Sequence, residues 1–125
     1  MPGWLHVLVV DDDPVTREVV RAVLEREGHR VATHHTAFGT AALVRKGRFD
    51  VVLLDVEMPG LKGDSIVDLL IDATRDQLRP TILLHSGKDH AVLDAMATTA
   101  GADGAITKTS DPRAFMAAFR QLTGS

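Results

Sequence analysis

Residues 5–14 read LHVLVVDDDP, an apolar run interrupted only by His6 and followed by three aspartates and a proline. A short, nearly continuous apolar run is typical of a β-strand that is buried on both faces of a parallel sheet. Asp13 before Pro14 is typical of a helix N-cap and first helical residue, because proline has no N–H that needs a partner there. The stretch therefore predicts a buried strand that ends at an acidic cluster and leads directly into a helix.

The same alternation of short apolar runs and amphipathic stretches continues to the end of the chain. The predicted strands are Leu5–Val10, His29–His34, Val51–Leu54, Thr81–Leu84 and Ala105–Thr107, and the predicted helices begin near Pro14, Thr36, Asp64, Asp89 and Pro112. The expected helix stops include Gly28, Gly47 and Gly101, and the last helix has an apolar face of Phe115, Met116, Phe119 and Leu122. Strict alternation favours an α/β domain over residues 1–125, with a parallel sheet and helices on both faces.

Composition excludes several classes of protein. The chain has 125 residues, 45% of them apolar and 25% charged, with no cysteine and a net charge of -3. Disulfides and thiol chemistry are excluded, and the basic surface of a nucleic-acid binder is missing. No apolar run reaches the roughly 20 residues of a membrane-spanning helix, and no signal peptide is apparent. We expect a cytoplasmic protein that binds neither nucleic acid nor membranes directly.

Polar residues collect at the carboxyl ends of the predicted strands: Asp11, Asp12, Asp55, Ser86 and Lys108. Ligands bind at this edge in open parallel sheets. Three carboxylates in one cleft repel one another, and a divalent cation removes that repulsion; oxygen ligands alone suit Mg²⁺ better than zinc. A lysine and a hydroxyl can hold phosphoryl oxygens. The pattern predicts Mg²⁺-dependent phosphoryl transfer to a carboxylate.

Four segments, in this order, resemble the receiver domain of two-component response regulators, in particular single domains of the chemotaxis-regulator type. They are Val9–Asp13, Asp55–Gly60 with Gly63, His85–Gly87 and Ala100–Lys108. The resemblance extends over the whole chain. It implies a doubly wound five-stranded parallel sheet with the flavodoxin-like strand order 2-1-3-4-5 and helices on both faces.

The resemblance also implies a role for each matched residue. Asp55 accepts the phosphoryl group, Lys108 pairs with it, and Ser86 turns toward it. The expected cofactor is Mg²⁺, and its expected ligands are Asp11 or Asp12, together with Asp55 and the backbone carbonyl of Glu57. No enzymatic activity is expected beyond self-phosphorylation and autodephosphorylation.

Partners follow from the same resemblance. The phosphodonor would be a sensor histidine kinase or a histidine phosphotransfer protein of a bacterial two-component system or phosphorelay. A downstream protein would contact the face formed by the fourth helix, the fifth strand and the fifth helix. We expect a monomer or a weak homodimer. The protein either acts alone through such contacts or is a receiver from a longer protein.

Two residues depart from the family pattern. Ala105 stands where receivers carry tyrosine or phenylalanine, so half of the usual switch is missing. Thr109 follows the lysine where proline is usual, and we therefore expect a trans Lys108–Thr109 bond or a strained turn.

Glu57 and Lys88 carry opposite charges at positions that flank the site. We expect them to pair across the cleft mouth and to slow hydrolysis of the aspartyl phosphate.

The sequence also fits two alternative functions. Ala105 and Thr109 are also consistent with a binding-only receiver that has lost its phosphorylation cycle. Residues 9–15 loosely resemble the first motif of haloacid-dehalogenase-type phosphatases, which would make Asp11 the nucleophile and Asp13 the general acid. Such phosphatases also need a later acidic pair and usually a cap segment, and neither is apparent.

Overall fold

The computed structural model of the protein describes residues 3–59 and 63–125. Strands and helices alternate in the described chain: β1 (His6–Val10), α1 (Pro14–Arg26), β2 (Arg30–His34), α2 (Thr40–Gly47), β3 (Val51–Asp55), α3 (Gly63–Ala73), β4 (Thr81–Ser86), α4 (His90–Ala100), β5 (Gly104–Thr107) and α5 (Pro112–Thr123). All neighbouring strands run parallel, in the order β2-β1-β3-β4-β5. The predicted α/β fold and strand order are confirmed.

Both faces of the sheet are covered by apolar side chains. Within β1, Val7 and Val9 belong to one buried cluster, while Leu8 and Val10 belong to a second cluster on the opposite face. Helices complete each cluster: Leu24 of α1 and Phe119 of α5 in the first, and Val44 of α2, Leu70 of α3 and Leu93 of α4 in the second. Each such buried side chain contributes about 1.5–3 kcal/mol, so two-sided burial explains why the strands are continuous apolar runs.

Helix boundaries follow the predicted capping residues at α1 and α5. Asp13 accepts a hydrogen bond from the Val15 N–H, and Asp111 accepts one from the Arg113 N–H. In α5 the predicted apolar face is buried at Phe115, Met116 and Phe119, and Leu122 packs partly buried against the same cluster. Within the described residues, no helix combines the length and apolar character needed to cross a membrane.

The predicted start of the second helix was wrong by four residues. The helix begins at Thr40 rather than Thr36. The Thr36 hydroxyl accepts the Phe38 N–H at 3.3 Å, and Gly39 adopts a left-handed φ of 79°. A threonine that bonds its own backbone in this way favours a turn over a helix.

The predicted stop of this helix was also misplaced. Gly47 is the last helical residue, and Arg48 adopts the left-handed conformation with φ 53°. Glycine is required at position 47 for packing, since a Cβ there would lie 2.4 Å from the Phe49 ring.

Two further boundaries differ from the prediction. The fourth strand does not end at Leu84 but continues through His85 and Ser86, both of which are buried. The third helix begins at Gly63, so Asp64 lies inside its first turn rather than before it. The predicted loop residues Gly60 and Lys62 lie outside the described residues.

Candidate functional site

The carboxyl ends of four adjacent strands form the candidate site. Asp11 follows β1, Asp55 ends β3, Ser86 ends β4 and Lys108 follows β5. The register aligns these ends: Asp55 lies opposite His85 in the β3–β4 pair, and the Lys108 N–H donates to the Ser86 carbonyl at 2.7 Å. The topology therefore brings together the residues that the sequence placed at strand ends.

Three carboxylates form an acidic cluster in this cleft. One oxygen each from Asp11, Asp12 and Asp55 lie within 4.8 Å of one another. Asp11 and Asp55 are 1% and 3% exposed, whereas Asp12 is exposed. Backbone groups orient the buried pair, because the Asp13 N–H donates to Asp11 Oδ1 and the Glu57 N–H donates to Asp55 Oδ1, each at 2.9 Å.

Lys108 supplies the positive charge that faces this cluster. Its Nζ lies 3.1 Å from Asp11 Oδ2 and 3.4 Å from Asp55 Oδ2. Burial favours the neutral amine, but the two carboxylates outweigh burial and raise the pKa of Lys108. The ammonium form is therefore held between the two buried aspartates.

Burial raises the pKa of Asp55, and the neighbouring charge of Asp11 adds to that increase. The Glu57 N–H and the Lys108 ammonium act in the opposite direction without cancelling it. Asp11 Oδ2 is buried and accepts no hydrogen bond of good geometry from any described residue. The single positive charge of Lys108 therefore does not balance the three carboxylates, and Asp11 Oδ2 lacks a well-oriented hydrogen-bond donor in the described part of the chain. A divalent cation with oxygen ligands fits that deficit.

A hydrogen-bonded group of three residues borders the cluster. The Ser86 hydroxyl donates to Glu57 Oε1 at 2.8 Å, and the Lys88 N–H donates to Ser86 Oγ at 3.1 Å. Lys88 Nζ lies 4.0 Å from the same glutamate oxygen, so the opposite charges at positions 57 and 88 face each other as predicted. Ser86 is fully buried, while the side chains of Glu57 and Lys88 are 44% and 42% exposed.

His85 lies beside the acidic cluster, although the sequence did not predict a role for it there. Its ring is 3% exposed and lies edge-on to Phe115, with ring centroids 5.8 Å apart. Burial, reinforced by the nearby Lys108 charge, lowers the pKa of His85 to about 4. His85 also borders a cavity of about 480 Å³ between α1 and α5, which Lys108, Val15 and Val19 help to line. A polar residue inside an otherwise apolar strand was the available signal.

The two departures from the family pattern have definite structural outcomes. Ala105 is buried within β5, opposite Leu84 of β4. The Lys108–Thr109 bond is trans, as predicted. Asp13, the general acid of the phosphatase alternative, is exposed and committed to capping α1, where it also accepts the Thr16 hydroxyl at 2.7 Å. Asp13 therefore already has a structural role at the start of α1.

The chain is similar to known regulatory proteins over most of its length. The family model described as response regulator receiver domain matches residues 7–120. Transcriptional regulatory protein CseB of Streptomyces coelicolor is 33% identical over 122 residues, which cover 98% of this chain and 50% of CseB. Sensor histidine kinase AruS of Pseudomonas aeruginosa is 48% identical over 59 residues, which cover 47% of this chain and 6% of AruS.

Among solved structures, chemotaxis response regulator CheY4 of Vibrio cholerae superimposes with a TM-score of 0.80 at 25% identity. The match covers 94% of this chain and 97% of CheY4. By contrast, the chain spans about half the length of CseB. The similarity is thus to a whole small regulator and to one part of larger proteins.

Proposed function

This chain belongs to the response regulator receiver domain family, and on that premise we propose that it accepts a phosphoryl group from a phosphohistidine onto Asp55. The observation that carries the proposal is the arrangement of two buried carboxylates around one ammonium group at the carboxyl edge of the sheet. Lys108 Nζ is 3.1 Å from Asp11 and 3.4 Å from Asp55. An amino group held between two carboxylates is placed to pair with a phosphoryl group added to either.

Asp55 is favoured over Asp11 as the acceptor by its position. It ends β3, which lies between β1 and β4, so Asp55 lies between Asp11 and the strand that ends at Ser86. Lys108 Nζ is 3.4 Å from Asp55 Oδ2. Its Oδ1 accepts the Glu57 N–H, which fixes the orientation of the carboxylate. In the transfer, an Asp55 oxygen bonds to phosphorus as the phosphorus–nitrogen bond breaks, and that electron pair returns to the histidine ring. Lys108 offsets charge on the transferred oxygens, and positioning of this kind supplies most of the catalysis.

The proposed ligands of Mg²⁺ are Asp11, Asp12, Asp55 and the backbone carbonyl of Glu57. Support comes from the three carboxylate oxygens within 4.8 Å and from the buried Asp11 Oδ2, whose only close cation among the described residues is Lys108. These are hard oxygen donors, which Mg²⁺ prefers. When bound, Mg²⁺ would neutralise charge on the cluster and on the phosphoryl oxygens.

Intact-mass measurement with acetyl phosphate tests the chemistry. In the presence of Mg²⁺ we expect the wild-type mass to increase by one phosphoryl group, and no increase after chelation. The Asp55→Asn variant should gain nothing, because an amide is not a nucleophile for this transfer. Asp13→Asn is the matched control, since Asp13 is an exposed capping residue and should not affect phosphorylation. A phosphoryl group retained in Asp55→Asn would instead favour Asp11 as the nucleophile.

We further propose that the phosphodonor is a sensor histidine kinase or a histidine phosphotransfer protein that contacts α1. Its phosphohistidine must reach Asp55, so its contact surface must border the acidic cleft. Val15 and Val19 of α1 are 68% and 53% exposed and line the cavity beside Lys108. Exposed apolar side chains next to a cleft are typical of a protein contact. The face of α4, β5 and α5 remains our expectation for the downstream target.

A further inference from the structure

The single proton of the Ser86 hydroxyl is already in use in this structure. Ser86 Oγ donates to Glu57 Oε1 at 2.8 Å and accepts the Lys88 N–H at 3.1 Å. A serine hydroxyl has one hydrogen to donate. While that hydrogen is bonded to Glu57, Ser86 has none to offer to a group on Asp55.

Glu57 is well placed to keep this hydrogen bond. Its N–H donates to Asp55 Oδ1 at 2.9 Å, so the backbone of residue 57 is anchored to the proposed acceptor. Its carboxylate also faces Lys88 Nζ at 4.0 Å, so an opposite charge lies on the same side of the cleft. Hydrogen bonds to an ionised acceptor are stronger than neutral ones. One short turn thus contacts Asp55 through the backbone and Ser86 through the side chain.

Phosphorylation would place a second anion beside the same hydroxyl. A phosphoryl group on Asp55 carries negative charge, which repels the Glu57 carboxylate at close range. The Glu57 side chain is 44% exposed and has solvent into which to move, whereas Ser86 is fully buried. The Glu57 carboxylate and the phosphoryl group therefore compete for the single hydrogen bond that Ser86 can donate. Of the residues that form this hydrogen bond, only Glu57 is exposed enough to move away.

We propose that Glu57 is a positioning residue that holds the Ser86 hydroxyl away from Asp55 until phosphorylation. Switching then consists of the transfer of one hydrogen bond from Glu57 to a phosphoryl oxygen. This inference rests on the proposed function of Asp55. It identifies Glu57 as the hydrogen-bond acceptor that a phosphoryl group must displace from Ser86. Glu57 thereby lowers the affinity of the site for a phosphoryl group, and removing its carboxylate increases that affinity.

Binding of beryllofluoride with Mg²⁺, a mimic of a phosphoryl group on aspartate, tests the inference quantitatively by NMR titration. Glu57→Ala should tighten binding about tenfold, the size of a hydrogen bond to a charged group. Glu57→Gln keeps an acceptor oxygen without the charge and should give a smaller increase. Glu25→Ala removes an exposed carboxylate from the far end of α1 and should leave the affinity unchanged.

The Ser86→Ala background separates hydrogen bonding from simple charge repulsion. There, Glu57→Ala should tighten beryllofluoride binding several-fold less than it does in the presence of Ser86, because only the charge repulsion is relieved and no hydroxyl remains to be released. An equal tightening with and without Ser86 would overturn the inference, since Glu57 would then act through its charge alone.

The conformation of Ser86 in the unphosphorylated protein tests the role of Glu57 without relying on phosphorylation of Asp55. Three-bond couplings of Ser86 should report one χ1 rotamer in the wild type and a mixture in Glu57→Ala. An unchanged rotamer would overturn the inference. If wild-type protein bound no beryllofluoride while the Ser86 rotamer did respond to Glu57→Ala, Asp55 would lose its proposed role, and the hold of Glu57 on Ser86 would stand.

Discussion

His85 is a buried titratable residue that lies between the apolar core and the charged cleft. The sequence places it in a run of apolar residues, and the structure buries its ring against Phe115 near the positive charge of Lys108. Both conditions disfavour the imidazolium form, with burial the larger cause. His85 is therefore neutral at physiological pH.

The lowered pKa of His85 has a consequence for stability in acid. In the unfolded chain the histidine has a pKa near 6.5, and in the folded chain about 4. The unfolded state therefore binds more protons between these values, so this contribution to stability is complete above pH 6.5 and lost as the pH falls to 4. The loss should be roughly 3 kcal/mol in the free energy of unfolding.

Urea denaturation at pH 7.5 and pH 4.5 measures this effect. His85→Leu should lose less stability than the wild type over that interval, because no buried imidazole has to be protonated. His90→Gln, at the exposed start of α4, should lose as much as the wild type. A wild-type pH dependence in His85→Leu would refute the argument.

At the scale of elements, α1 links the fold to the proposed transfer reaction. Its inner face buries Val20 and Leu24, whereas Val15 and Val19 remain exposed on the side toward the acidic cleft. Aspartate at position 19 would place an unpaired charge in an apolar contact, which costs binding energy. We expect Val19→Asp to slow transfer from a phosphohistidine donor by about tenfold.

Parallel assays with two donors check the role of α1. Val19→Asp should retain wild-type phosphorylation by acetyl phosphate, because a small donor needs no protein contact. Leu78→Asp is the matched control: Leu78 is 94% exposed and precedes β4, at the edge of the sheet opposite the site. Equal slowing with both donors would mean that position 19 affects the cleft itself rather than a contact surface.

For the molecule as a whole, the sequence predicted the fold because burial on both sheet faces leaves a simple pattern. Val51–Leu54 is apolar at every position, and Asp55 ends it. The sequence also predicted that the site residues lie together, because the carboxyl ends of parallel strands meet at one edge of the sheet. Boundaries were harder wherever a polar residue is buried by its neighbours, as at Ser86, or where packing takes priority over local preference, as at Gly47 against Phe49.

The hydrogen bond from Ser86 to Glu57 was beyond sequence reasoning for a physical reason. Charge at positions 57 and 88 was enough to predict that those side chains face each other. The Ser86 hydroxyl reaches Glu57 because β4 continues two residues beyond the predicted end at Leu84 and because the chain turns after Asp55. Both are set by tertiary packing, which residue type alone does not encode.

Locating the phosphoryl group after transfer from a phosphohistidine protein is the most direct test of the central claim. The protein would be mixed with Mg²⁺ and a phosphorylated histidine phosphotransfer protein, treated with borohydride to reduce any aspartyl phosphate, and digested for peptide mass analysis. The predicted result is a homoserine at position 55 and unmodified aspartate at positions 11 and 12. Reduction at Asp11 instead, or no reduced residue despite consumption of the donor, would contradict the assignment of Asp55 as the phosphoacceptor.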